Sequence, residues 1–521
     1  MKKSRVLVFL LVLAVMASPL FAGGSSSGSS SGSGPVKLSI YNPGRPDYRP
    51  DLPNIQEIMK RTNTEIEVII GENTDALNLL FASGDLPDIL KIGNLDYQNY
   101  VHTGYLRPLD DLLKNHAPNL MKYTSPDAWQ YLTVNGKIYA YPYENNLIKL
   151  YTYVREDYIR NLGIDLSKNA DYGDFGGKVV TLNEFRNILE KITNGDPTKT
   201  GKKVYGLAGQ ARMTITQWSN IFGAHGGIPA HYYATGNSVV PWSTTNEFRQ
   251  GLQYINGLWR DGLIDPEVYL QTGDQGKQKM INSVSGAGTG GWWSDAHTLM
   301  IDGLHALNPD AEYIPLRLTS NDGKFSGAPD NGLCSQTTSI TTQCKNPEKA
   351  MEFLDFLSSD DGWYLTWVGL PDLDFTFVDG YATRTPVGQE KYNAMIIDVF
   401  FSITNRLSLQ NHFASAPKTD WTGNQRRKWE ILQMDNTQPK YTSLFYGIPA
   451  PTAYLEMGVD VNNWIEQSSM AFITGERALN DANWNEYINT WKRMGGVKIL
   501  QGYLDAYKNL RGGNYIAGIS E

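Results

Sequence analysis

The chain is expected to fold as an α/β protein of two lobes, each a mainly parallel sheet flanked by helices. One observation is length: 521 residues exceed what a single hydrophobic core usually serves, so the chain should divide. A second is rhythm, since the opening third alternates β-branched stretches with amphipathic ones, the pattern of βαβ units. A third is charge. A net charge of −8 with no long basic run gives a nucleic acid or an anionic membrane surface nothing to hold.

Element by element, Lys2, Lys3 and Arg5 precede an apolar run from Val6 to Met16, and Pro19 with small residues follows. Residues 1–22 therefore read as a secretory signal, too short for a membrane span, with cleavage after Ala17 or after Ala22. Residues 23–34 are only Gly and Ser and cannot bury apolar surface, so 23–35 is read as a flexible tether. No cysteine lies near it, so release in soluble form, without a lipid anchor, is expected. Cys334 and Cys344 either pair, as an exported compartment permits, or stay as buried thiols.

Folded structure then begins with an alternating strand at 37–41, followed by the turn-rich Asn42-Pro43-Gly44-Arg45-Pro46. Ile55, Ile58 and Met59 have helical spacing, and 64–70 is a β-branched strand. A helix over 75–81 is closed by Ser83-Gly84, and a strand over 89–92 follows. Ligands of such sheets sit beyond the carboxyl ends of the strands, here 41–45 and 92–96.

Several phrases carry a resemblance. Ala82-Ser83-Gly84-Asp85-Leu86-Pro87-Asp88, Gly136-Lys137-Ile138-Tyr139-Ala140-Tyr141-Pro142 and the run from Leu258 to Glu267 stand in order along the chain. So do Arg155-Glu156-Asp157-Tyr158, Thr181-Leu182-Asn183-Glu184-Phe185, Asn346-Pro347-Glu348-Lys349-Ala350 and Trp491-Lys492-Arg493-Met494-Gly495-Gly496. Together they resemble the extracellular solute-binding proteins of ATP-driven sugar importers, across nearly the whole mature chain. Each phrase is architectural, because Gly and Pro at such points serve the backbone.

The resemblance implies the two-lobed periplasmic-binding-protein fold with a ligand cleft between the lobes. It assigns 36–144 and 331–373 to the first lobe and 145–330 and 374–521 to the second; the stretch 378–454 matches the family poorly and is read as an elaboration of the cleft's rim. It implies an exported, periplasmic or extracellular monomer that closes on a carbohydrate, delivers it to a membrane permease, and catalyses nothing. Neutral oligosaccharides are the general expectation; Arg45 would suit an acidic sugar. A receptor or adhesin on the same scaffold and a carbohydrate-active enzyme are the alternatives.

Sugar recognition needs aromatic faces beside fixed hydrogen-bonding groups. On the first lobe these are Tyr41, Asn42, Arg45, Asn94 and Asp96, and at the first crossing Tyr143 and Glu144. On the second they are Trp218, Trp292, Trp293 and Asp295, with Trp292 and Trp293 on opposite faces of a strand and only one lining the cleft. Asp110-Asp111, Asp360-Asp361, Asp372 and Asp374 are read as solvated loop or cap residues, and Asp85 and Asp88 as turn and cap residues.

Gly286-Ala287-Gly288-Thr289-Gly290-Gly291 matches the dinucleotide pattern by letter, yet its surroundings reverse the strand-turn-helix order, so it is read as a flexible turn. No metal or cofactor is expected: His225 and His231 lack companions. Residues 196–203 fall where relatives often carry a calcium-like loop, but Thr198 and Thr200 replace stronger oxygen donors and lysines crowd the segment.

Overall fold

The computed structural model describes residues 34–42, 49–69, 74–93, 96–97, 100–143, 151–172, 177–209, 214–290, 298–309, 311–329, 334, 336–378, 381–393, 440–441, 443–446, 448 and 450–520. The compact body begins at Val36. Two sheets organise it, one 5-stranded and one 6-stranded.

In the first sheet the order is Thr64–Ile69, Val36–Tyr41, Ile89–Gly93, Gln336–Ile340, Tyr141–Tyr143. Val36–Tyr41 runs parallel to both neighbours, whereas Gln336–Ile340 is antiparallel to the strands on either side. Alternation along these strands feeds two cores. Leu38, Ile40 and Ile89 face helices Pro53–Thr62, Asp110–His116 and Pro347–Ser358 through Ile55, Leu113 and Phe353. Leu90 and Ile92 face Leu77 and Phe81 of helix Thr74–Ser83. Each fully buried large apolar side chain contributes roughly 1.5–3 kcal/mol relative to exposure, which is why both faces need a helical cover.

The second sheet orders Tyr205–Gly209, Ser285–Gly290, Tyr151–Arg155, Tyr313–Thr319, Gly177–Thr181, Asp171–Tyr172. Tyr151–Arg155 is antiparallel to both neighbours. One face packs under Phe185, Leu189, Phe248 and Leu252, with Phe472, Trp484 and Tyr487 of the C-terminal helices Thr452–Thr474 and Asp481–Arg493 joining the same core. The other face carries Tyr153, Tyr313, Met280 and Leu304.

The two sheets are thus mixed in a particular way. In each, the antiparallel strand set between neighbours is the one that has just arrived from the other lobe. The chain leaves the first sheet at Tyr143 and enters the second at Tyr151; it leaves the second at Thr319 and returns at Gln336. These two crossings join the carboxyl ends of parallel strands, since Gln336 sits opposite Gly93 and Tyr143, and Tyr151 opposite Gly290; a third lies between the first-lobe helices and Thr452.

One expectation is corrected. Ser285–Gly290 is an interior strand, not a flexible turn. Its glycines answer to neighbours: a Cβ on Gly288 would lie 2.3 Å from the Tyr153 hydroxyl, and one on Gly286 2.6 Å from Ile192. The hairpin of Phe375–Val378 and Tyr381–Arg384 packs on the helix Asp360–Trp367, where Phe375 stacks on Tyr364 at 5.5 Å. Cys334 and Cys344 are both buried free thiols; Cys334 donates to the Gln336 carbonyl at 2.8 Å, and burial pushes the Cys344 thiol up to about 12.

Candidate functional site

The first-lobe strands end in a set of polar groups split between the two faces of the sheet. The Tyr41 ring is buried beside Leu77, Phe81 and Tyr97. Asp96 lies on the same side, beside Gly93, where a Cβ would sit 3.1 Å from Asp96 Oδ2. Burial raises the Asp96 carboxyl above the ordinary range, opposed by the Gly93 N–H; the Tyr41 phenol is raised by burial and then by the Asp96 and Tyr100 charges. Phe81 and Tyr100 stack at 3.6 Å, and the Tyr100 hydroxyl donates to Asn78.

Asn42 faces the other way. Its N–H continues the ladder to the Ile69 carbonyl at 3.1 Å, so its side chain falls on the Ile40 side. There Lys91 Nζ donates to Asn42 Oδ1 at 3.1 Å, with Asn42 and Lys91 only 0% and 3% exposed. Lys91 was not among the residues singled out above. Its signal was a lone charge inside Ile89-Leu90-Lys91-Ile92-Gly93, a run otherwise fit for a buried strand. Tyr143 ends the neighbouring strand, half-buried, opposite Gln336.

On the second lobe, Trp218 is corrected from a cleft aromatic to a core one. It is 0% exposed among Ile215, Ile221 and Phe222. The cause is distant in sequence: Glu466 of the long C-terminal helix accepts the Ile215 N–H with both oxygens, at 3.2 and 3.1 Å, and pins the turn Ile215–Trp218 inward. The helix Ser219–His225 that follows presses close to the return crossing, since a Cβ on Gly223 would stand 2.0 Å from the Gly327 carbonyl oxygen. Arg45, Asn94, Glu144, Trp292, Trp293 and Asp295 lie outside the described residues; the strand Ser285–Gly290 and the helix Thr298–Leu307 bracket the last three.

Asp110 and Asp111 occupy the first turn of their helix, and Asp361 pairs with Arg61 at 2.8 Å. Asp374 is not solvated: it is fully buried, takes the Leu370 N–H at 2.8 Å and binds Lys391 at 2.6 Å. Asp88 clamps strand Val36–Tyr41 through the Ser39 N–H and hydroxyl at 2.8 and 3.0 Å. His231 is buried with Nδ1 3.0 Å from the Pro229 carbonyl. His225 packs edge-on against Tyr254, and no group of His, Cys, Asp and Glu among the described residues gathers as a metal set.

Comparison with known proteins bears on what these edges serve. The family model of bacterial extracellular solute-binding proteins matches residues 46–362. The polygalacturonan/rhamnogalacturonan-binding protein YtcQ of Bacillus subtilis is 24% identical over 98% of this chain and 99% of its own. Among solved structures, the alginate-binding protein AlgQ2 without calcium ion superposes with a TM-score of 0.67 at 19% identity, over 92% of this chain and 99% of that one. FusA of Streptococcus pneumoniae, an ABC-transporter substrate-binding protein in complex with kestose, gives 0.67 at 16% identity over 91% and 99%. These likenesses give the two-lobed fold.

Proposed function

Because the chain belongs to the bacterial extracellular solute-binding proteins, we propose that it is the exported capture component of an ABC importer, taking an oligosaccharide by closure of its lobes and passing it to a membrane permease. The observation that carries this is topological: the crossings 143–151 and 319–336 connect the carboxyl ends of the two sheets, the place where α/β sheets bind ligands. Asp96 and Tyr143 on one lobe, with Trp292 or Trp293, which follow Gly290 in sequence, on the other, are the polar and aromatic partners this reading calls on. A ligand that touches both stabilises the closed state by its differential affinity.

A thermal-shift and calorimetric screen of the mature protein against neutral and acidic oligosaccharides tests the reading, since a ligand of the native state raises the midpoint by mass action. The expected result is a selective rise for one sugar class without its consumption. Trp292→Ala or Trp293→Ala should then weaken binding at least about tenfold while the apo midpoint holds. No shift with any sugar would refute a carbohydrate ligand, and degradation of the sugar would point to an enzyme.

An acidic oligosaccharide is the class we favour, on the names of two relatives. YtcQ and AlgQ2 are named for polymers that carry carboxylates. Screening uronate oligomers against neutral ones of equal length separates the two.

A further inference from the structure

Residues 196–207 keep the outline of a calcium loop. In the 12-residue EF-hand pattern, oxygen ligands come from the first, third, fifth, seventh, ninth and last positions, with glycine at the sixth for the sharp turn. Asp196 stands first and Gly201 sixth, at φ +71. The remaining ligand positions do not fit a cation. Thr198 and Thr200 hold the third and fifth places, where carboxylates or amides are usual, and the ninth and last are Val204 and Leu207, at 1% and 0% exposure in the second-lobe core. Lys199, Lys202 and Lys203 add positive charge where a divalent ion would need the opposite.

What fills the ion's place is a closed set of hydrogen bonds on one carboxylate. Asp196 Oδ1 accepts the Thr198 hydroxyl at 3.1 Å and the Thr200 N–H at 3.1 Å, while Oδ2 accepts the Gly201 N–H at 2.9 Å. The Thr198 and Thr200 hydroxyls lie 2.7 Å apart, and the Lys199 N–H donates to the Asp196 carbonyl at 3.1 Å. Lys199 itself takes the left-handed φ of +56 so that the chain can wrap the carboxylate. The loop is tied to its neighbour by Asn161 Nδ2, which donates to the Pro197 carbonyl at 2.8 Å. At the exit Lys203 lies 4.6 Å over the Tyr205 ring.

We infer that this loop is a calcium-loop skeleton that has become independent of metal, with Asp196 as the hub that organises it through donors of the chain itself. The donors that converge on Asp196 do the ordering that a cation does by drawing oxygens inward. The charges of Lys199 and Lys202 then serve to repel a divalent ion.

The test compares thermal denaturation of the mature wild type and Asp196→Asn in calcium chloride and in chelator, together with terbium titration, which reports a lanthanide in the loop through Tyr205. Expected are an unchanged wild-type midpoint, no sensitised terbium emission, and a midpoint for Asp196→Asn lower by about 1 °C or more, equally in both buffers. Thr198→Val, which removes one donor only, should lower the midpoint in the same metal-independent way and serves if Asp196→Asn fails to fold. A wild-type midpoint that rises with calcium, or terbium emission abolished by Asp196→Asn, overturns the inference. Unchanged midpoints in both variants overturn the hub role. Neither readout involves a sugar, so the outcome is separate from that of the ligand screen.

Discussion

A single imidazole shows how burial turns into pH dependence. His225 closes the helix Ser219–His225 against Tyr254, and burial lowers it to about 4. In the unfolded chain the ring titrates near 6.5. Between those values the unfolded state binds the extra proton, so stability is intact above the unfolded value and is lost as pH falls toward the folded one. The loss amounts to at most about 3 kcal/mol. Urea melts of wild type and His225→Gln across this window should differ in slope with pH, and parallel profiles would discard the account. At the same scale, Arg155 and Asp157 form a bidentate pair at 2.7 and 2.6 Å, with Asn308 donating to Asp157 at 3.0 Å, so a buried charge at the entry to the second lobe is neutralised on the spot.

Elements differ in how far their cause lies from their own residues, and this decides what could be read in advance. The helix Leu182–Asn194 was legible because its start is local: the Thr181 hydroxyl accepts the Glu184 N–H, and the Glu184 carboxylate takes the Thr181 N–H in return. Gly84 and Gly262, both at φ +70, end their helices for equally local reasons. Strand Ser285–Gly290 was not legible, since its glycines are required by Tyr153 and Ile192, distant in sequence. Gly288→Val should therefore cost on the order of 1–3 kcal/mol or more by overpacking, seen as a lower denaturation midpoint. A neutral result would mean that Tyr153 can move aside. The site divides likewise: Tyr41 and Asn42 could be picked out by their place after a strand, but Lys91 needed the facing Asn42, and Trp218 was misplaced because Glu466 acts on it from far along the chain.

For the whole molecule, closure of two lobes is a change of shape and can be measured as one. Saturating ligand should reduce the radius of gyration in solution scattering toward the compact value of about 23 Å expected for a body of this size, and an unchanged radius with bound sugar would mean that binding occurs without closure. Neither lobe is a free-standing unit in sequence. The strand Gln336–Ile340, set between Ile89–Gly93 and Tyr141–Tyr143, completes the first sheet only after the second-lobe strands have been passed. A chain that emerges amino end first thus cannot finish its first lobe until residue 340 is out. Until then the first sheet lacks the strand that joins Ile89–Gly93 to Tyr141–Tyr143. The return strand therefore acts as a delay timer: the first sheet gains its central strand only when the chain has come back from the second.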